Sequence, residues 1–344
     1  MSTVEVSTDQ LPLDRLATWM VNNVRGFKGT LTARKFSGGQ SNPTYQLQTP
    51  DAEYVLRRKP MGELLRGAHA IEREFRVMSA LQNQSVPVPR VHALCQDTSV
   101  IGSSFFIMDM VHGRIFWDPT LPDIPKTDRR SYYRAMNETI AALHAVDLDE
   151  ADLRDYGKIG GYITRQVGLW SRQYLDDEVA GRLAPMDRLV EWLPQHLPGT
   201  DDSTSIVHGD FRCDNLIFHP REPKVIAVLD WELSTLGHPL ADFTYHLMTY
   251  QMPQALPAGL LGVDLEAHGI PTEEEYIDWY CQKTGRGQID NLRFFKAFNL
   301  FRFAAIVHGI KGRLAKGNAS SDQAESLVAH LDELAEAAWA ATSA

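Results

Sequence analysis

The run HGDFRCDN at 208–215 sets a histidine, an aspartate and an asparagine in the pattern His-x-Asp-x-x-x-x-Asn. The apolar LIF follows it, and Asp230 closes the strand-like VIAVL further on. From the chain's own residue counts, the three-residue pattern would arise by chance about 0.02 times. Phosphoryl transfer from ATP to a hydroxyl requires these residue types. A carboxylate must orient the acceptor hydroxyl and take its proton, and hard oxygen ligands must hold the Mg²⁺ that bridges the phosphates. Asp210 suits the first role, and Asn215 and Asp230 suit the second. The short spacing lets one loop present base and metal ligand together, and His208 would pin that loop from beneath or simply pack there.

Two kinds of region must position these groups. From Leu31 the pattern is strand-like and broken by turns: LTARKF, SGGQSN, PTYQLQT and YVLRR. Ile71, Phe75, Met78 and Leu81 then recur as one apolar stripe, which predicts a helix. VPVPRV at 86–91 must be extended, since each proline biases its predecessor away from helix. Strand-like VHALCQD and SFFIMDMV complete a small sheet carrying one helix over residues 1–110. Beyond Gly113 helices dominate. They are predicted at 130–145, at 272–283 with the Thr272/Glu275 spacing of a capping box, at 289–313 and at 322–341. One β island, 206–218 and 225–232, interrupts them. The expected fold class is α+β, with an N-terminal lobe (1–110) and a mostly helical C-terminal lobe (111–344).

Composition narrows the function. Of 344 residues, 44% are hydrophobic and 23% charged, which excludes disorder, a coiled coil or collagen for the whole chain. The net charge of −10 argues against gripping nucleic-acid phosphates along an extended surface. Residues 1–110 carry a net +2 and the remainder −12. Three scattered cysteines (Cys95, Cys213, Cys281) make no disulfide framework, and neither a signal peptide nor a membrane span is evident. The expectation is a soluble cytoplasmic protein.

The chain resembles the aminoglycoside phosphotransferase and choline kinase-like superfamily, over about residues 30–310. Within it the chain is most similar to the kinase domain found alone or fused to acyl-CoA dehydrogenases, through GGQSNPTYQL, YVLRRKP, IEREFRVMSAL, VPVPRV, HGDFRCDNLIF and LDWELSTLGHPLADF. The resemblance implies a two-lobed protein-kinase-like fold, ATP and Mg²⁺ as cofactors, and a small-molecule hydroxyl as acceptor. Nucleotide contacts then fall on Ser37, Gly38, Gly39 and Ser41 of the first hairpin turn, although the turn is no GxGxxG. The phosphate-pairing lysine is replaced: Arg57 stands at its place, with Glu74 as its helix partner. Arginine keeps the charge and can fork onto two oxygens. Lys59 shares the inward alternation, but Arg57 follows the apolar YVL directly and is favoured. Backbone near Asp109 and Val111 would meet the adenine, between Met108 and Met110. Asp242 would support the catalytic loop, while Cys213 is open to solvent but unmarked as a nucleophile.

The acceptor is less defined. A link to acyl-CoA dehydrogenases points to a hydroxyacyl-type substrate, whereas the acidic C-terminal lobe would suit a cationic aminoglycoside. Arg302, amid apolar FNLF and FAAIV, needs an anionic partner, either a carboxylate of its own lobe or an acidic substrate group helped by Arg313 and His308. Two other classes compete. One is a nucleotide-binding pseudokinase or regulatory module, suggested by Arg57. The other is a metal-dependent phosphohydrolase built on His208, Asp210, His219 and Asp230.

Overall fold

The computed structural model describes residues 11–36, 42–60, 71–199, 203–256, 258–317 and 322–343. The candidate nucleotide-loop residues Ser37, Gly38, Gly39 and Ser41 lie outside the described residues. The chain divides into two compact units, 1–112 with 227–232, and 113–226 with 233–344. A division at 110/111 leaves out this return of the chain to the smaller unit.

The smaller unit runs α1 (Leu13–Asn23), β1 (Thr32–Lys35), β2 (Thr44–Gln48), β3 (Glu53–Arg58), α2 (Ile71–Leu81), β4 (Val91–Cys95) and β5 (Phe105–Asp109). Its antiparallel sheet has the order β1-β2-β3-β5-β4. Side chains alternate across a strand, so each face has its own occupants. Leu47, Leu56, Phe105 and Ile107 bury one face together with Leu16 and Met20 of α1. The register sets Arg57 opposite Phe106 rather than beside Leu56's neighbours, and Phe106 meets Phe75 of α2 with ring centroids 6.0 Å apart. Arg57 therefore belongs to the α2 side of the sheet. Helix α1 is an addition to the expected elements: Leu16 and Met20 repeat at helical spacing, but the sequence reading starts at Leu31.

The larger unit contains α3 (Lys126–His144), α4 (Tyr162–Asp176), α5 (Ala184–Gln195), β6 (Ser205–Val207), β7 (Leu216–Phe218), β8 (Val225–Val228, running on into the smaller unit), β9 (Thr235–Gly237), α6 (Pro239–Leu247), α7 (Leu265–His268), α8 (Glu273–Thr284), α9 (Leu292–Ala315), α10 (Asp322–Ala329) and α11 (Leu331–Ala340). Strand β6 pairs antiparallel with β9, and β7 neighbours β8. The expected capping box is present: Thr272 Oγ1 accepts the Glu275 N–H, and Glu275 accepts the Thr272 N–H. Helix α9 buries residues all round, including Phe295, Phe298 and Phe301, as a helix at the centre of a helical unit must. The single helix expected at 322–341 is two, broken at His330, whose φ of −98° and ψ of 7° interrupt the helical repeat. Among the described residues, no helix is long and apolar enough to cross a membrane.

Candidate active site

In the larger unit, β6 delivers the chain into the turn His208–Arg212, a 3-10 turn follows at Cys213–Asn215, and β7 carries the chain away. Gly209 makes the turn possible. Its φ is +85°, and a Cβ there would lie 2.9 Å from the Leu233 carbonyl oxygen. Asp242, in the first turn of α6, holds the turn from behind. Its carboxylate accepts the N–H groups of His208 and Gly209, each at 2.8 Å, and His144 Nε2–H at 3.2 Å. Burial alone would raise the Asp242 pKa, but the bond from His144 and the surrounding donors more than offset it and hold it low. Asp242 thus has the supporting role expected of it. His208 is fully buried and its Nδ1 accepts the Asp210 N–H at 3.2 Å, which matches a loop pinned from beneath.

Asp210 is held by both carboxylate oxygens. Tyr245, on α6, donates its hydroxyl to Oδ1 at 2.8 Å, and Asn215 Nδ2 reaches Oδ2 at 3.2 Å and the Asp210 carbonyl at 2.9 Å. The amide nitrogen of Asn215 faces Asp210, so its carbonyl oxygen is turned the other way, available to a hard cation. Burial, then the Asp210 charge, pushes the Tyr245 pKa up, so the phenol remains a donor. Tyr245 was not foreseen; it lies three residues after Asp242, and only the packing of α6 against β6 brings it to Asp210. Arg212 is tied to Asp214 through both Nε and Nη2. Cys213 is buried rather than open, and burial pushes its thiol pKa up to about 12, which removes it as a nucleophile.

Beside Tyr245 lies a narrow cavity of about 30 Å³, walled by Met136, Met248, Met252 and Phe303, with Arg212 and Tyr245 at its polar side. Its polar walls are already engaged within the unit. Tyr133 donates to the Pro119 carbonyl at 2.6 Å. His246 donates from Nδ1 to the Phe211 carbonyl at 3.2 Å, and its Nε2 lies 2.7 Å from the Tyr276 hydroxyl. At that size the cavity has room for about one water-sized group, against methionine and ring surface.

In the smaller unit, Arg57 sits among three carboxylates. Its Nε meets Glu74 at 2.9 Å, and its Nη2 meets Asp230 at 2.6 Å and Glu232 at 3.7 Å. Burial by itself would lower the Arg57 pKa, and the three carboxylates outweigh it and raise it. Glu74, only 3% exposed, is pushed up to about 7 by burial, with Asp230 and Glu232 opposing the help it receives from Arg57. Lys59 pairs instead with Glu72 at 2.6 Å, so the two basic residues serve different partners. Asp230 lies just past β8 in a left-handed conformation (φ +61°), which turns its side chain out at 37% exposure. The segment is anchored by the Val228 N–H on the Pro87 carbonyl and by Trp231, fully buried, on the Val228 carbonyl. Glu232, which also accepts from Asn42 at 3.4 Å, went unassigned from sequence although it stands two residues from Asp230. At the end of β5, Asp109 is engaged through its N–H with Arg90 and through its carboxylate with His92 at 2.6 Å.

Among the described residues no group of three or more His, Cys, Asp or Glu side chains is arranged to hold a metal by itself. An amide oxygen on Asn215 and a carboxylate on Asp230 are nevertheless the hard donors that suit Mg²⁺, which takes few protein ligands and keeps water and phosphate oxygens. The phosphohydrolase alternative fares worse. His219 Nδ1 accepts the N–H groups of Arg221 and Glu222 and so caps the hairpin after β7, while His208 is buried against its own loop.

The chain matches the phosphotransferase enzyme family over residues 32–280 and belongs to it. It is 45% identical over 339 residues to mouse acyl-CoA dehydrogenase family member 10, covering 96% of this chain and 31% of that protein. With human acyl-CoA dehydrogenase family member 11 it shares 43% over 313 residues, 89% of this chain and 40% of that one. The chain therefore spans about a third to two fifths of these relatives. A Ralstonia eutropha crystal structure, provisionally assigned as an aminoglycoside phosphotransferase, superposes with a TM-score of 0.90 at 47% identity, covering 97% of this chain and 98% of that one. An aminoglycoside phosphotransferase in ternary complex with ADP and hygromycin B shares the fold, with a TM-score of 0.63 at 14% identity over 97% and 99% of the two chains. The fold is the kinase-like fold of the aminoglycoside phosphotransferases.

Proposed function

We propose that the chain is an ATP- and Mg²⁺-dependent kinase that phosphorylates the hydroxyl of a small, largely aliphatic molecule of hydroxyacyl type. The observation that carries the reading is the Asp210 carboxylate, oriented by Tyr245 and Asn215 inside a loop that lies within the family match. In the reaction the acceptor O–H donates to Asp210, which takes the proton as the acceptor oxygen bonds to the γ-phosphorus. The bond from that phosphorus to the β–γ bridging oxygen breaks, and ADP leaves. Asn215 and Asp230 are assigned to the metal, which when bound neutralises phosphate charge. Arg57, steadied by Glu74, is assigned to the phosphates, as are Ser37, Gly38, Gly39 and Ser41, and backbone near Asp109 and Val111 to the adenine.

The acyl-CoA dehydrogenase names of the relatives support a hydroxyacyl thioester and a functional link to such a dehydrogenase. No nucleic-acid or membrane partner enters this reading, which takes the setting to be cytoplasmic.

A second reading, a nucleotide-binding regulatory module with weak turnover, is favoured by one contact: Arg57 occupies Asp230 Oδ1. One experiment separates the two. ADP formation is followed with hydroxyacyl-CoA, hydroxy-acid and aminoglycoside acceptors, alongside Mg²⁺-dependent nucleotide binding. The kinase reading expects acceptor-dependent ADP and a loss of roughly 10²–10⁴ in turnover for Asp210→Asn, with nucleotide binding retained. Nucleotide binding without turnover on any acceptor would favour the module.

A further inference from the structure

Arg302, midway along α9, is only 8% exposed, yet among the described residues no carboxylate pairs with it. The partner from its own lobe that the sequence leads one to expect is missing. A single hydrogen bond, Nη2 to the Gly209 carbonyl at 3.1 Å, is its recorded polar contact, and its buried Nε has no acceptor. The guanidinium faces two rings instead, Tyr245 at 5.0 Å and Trp170 at 5.8 Å from the centroids. Two other arginines of low exposure are better served: Arg57 has three carboxylates, and Arg129 donates to the carbonyls of Ile124, His268 and Pro122. A buried cation needs an anion or a full set of acceptors, and rings supply only part of that. His308 does not join Arg302, because its Nε2 is bonded to the Gly181 carbonyl.

The place of this unpaired charge gives it meaning. It bonds the residue before Asp210 and lies against the phenol that holds Asp210. We propose that Arg302 is an anion-binding residue of the acceptor site, which reads a carboxylate or phosphate carried by the same molecule that presents its hydroxyl to Asp210. The inference rests on the assignment of Asp210 as base. It narrows the acceptor to an anionic one and excludes a polycation.

The test has two arms. Hexanoate and inorganic phosphate are titrated by calorimetry, without nucleotide, into the wild-type protein, Arg302→Gln and Arg302→Lys. Wild type should bind at least one, Arg302→Gln should lose about tenfold or more in affinity, and Arg302→Lys should keep part of it. Which anion binds identifies the source of the charge. In the second arm 3-, 4- and 5-hydroxyhexanoate are compared with the matching hexanediols as acceptors. Arg302→Gln should raise KM for the acids and shrink the acid-to-diol ratio of kcat/KM by about tenfold. Equal binding by wild type and Arg302→Gln, no binding of either anion by wild type, or an unchanged acid-to-diol ratio in a folded variant overturns the proposal. A merely structural Arg302 would lower melting temperature and affect acids and diols alike. Should wild type bind an anion but phosphorylate no acceptor, the kinase reading fails while the anion site stands on the first arm.

Discussion

Tyr245 Oη donates to Asp210 Oδ1 at 2.8 Å, and on the proposed reading that bond orients the base. Removing the phenol should leave the Asp210 carboxylate less well oriented toward an acceptor hydroxyl. Tyr245→Phe is expected to cost roughly tenfold in kcat, with little change in KM for ATP. An unchanged kcat in the folded variant would show that the phenol does not orient Asp210. The two residues also differ in how they could be read. Asp210 announces itself through local spacing, whereas Tyr245 is one of 11 tyrosines and acquires its role only when α6 is docked. Glu232 is the same kind of residue, since its tie to Arg57 crosses 175 positions and leaves no local pattern.

Helices and strands were legible where a period met a marker. The stripe of α2, the Thr272 box and the extended VPVPRV all fell where sequence expected them, because each depends on neighbours in the chain. The break at His330 and the short β9 depend on what packs against them, and α1 shows that a two-turn stripe is easily passed over. Element packing also sets opposite responses to pH in the two units. Glu74 on α2 is raised from 4.5 to about 7, chiefly by burial, so the folded smaller unit holds its proton more tightly than the unfolded chain does. That stabilisation is complete below about pH 4.5 and is lost as pH rises through about 7, a change of about 3 kcal/mol at most. His246 on α6 and His238 before it are lowered from 6.5 to about 4, again chiefly by burial. Their folded forms are neutral, so the larger unit keeps its stability above pH 6.5 and loses it as pH falls toward 4. Hydrogen exchange, corrected for intrinsic rates, should therefore show the smaller unit better protected at pH 5 than at pH 8, and the larger unit the reverse. Glu74→Gln should flatten the first trend; a trend that survives the substitution would place its origin elsewhere.

For the molecule as a whole, the smaller unit is made from two stretches of chain. Residues 227–232 bring it the fully buried Trp231, the Val228–Pro87 bond and two of the three carboxylates around Arg57. Loss of a buried tryptophan alone costs about 3–5 kcal/mol, comparable to the whole stability of a small domain. A fragment of residues 1–112 should lack a cooperative thermal transition, and joining 227–232 to it through a flexible linker should restore one. A sharp transition in 1–112 alone would show that the returning stretch is dispensable. The same threading orders events during synthesis. A ribosome adds about 5–20 residues per second, so the 120 residues from 112 to 232 take roughly 6–24 s. Throughout that interval the first stretch has left the peptidyl-transferase centre without the strand end that completes it, with Arg57 short of two counter-charges. The amino-terminal unit, translated first, is thus finished only after much of the larger unit's chain exists. A nascent chain arrested before residue 227 would expose that unfinished unit to chaperones, and one arrested well beyond residue 232 would not.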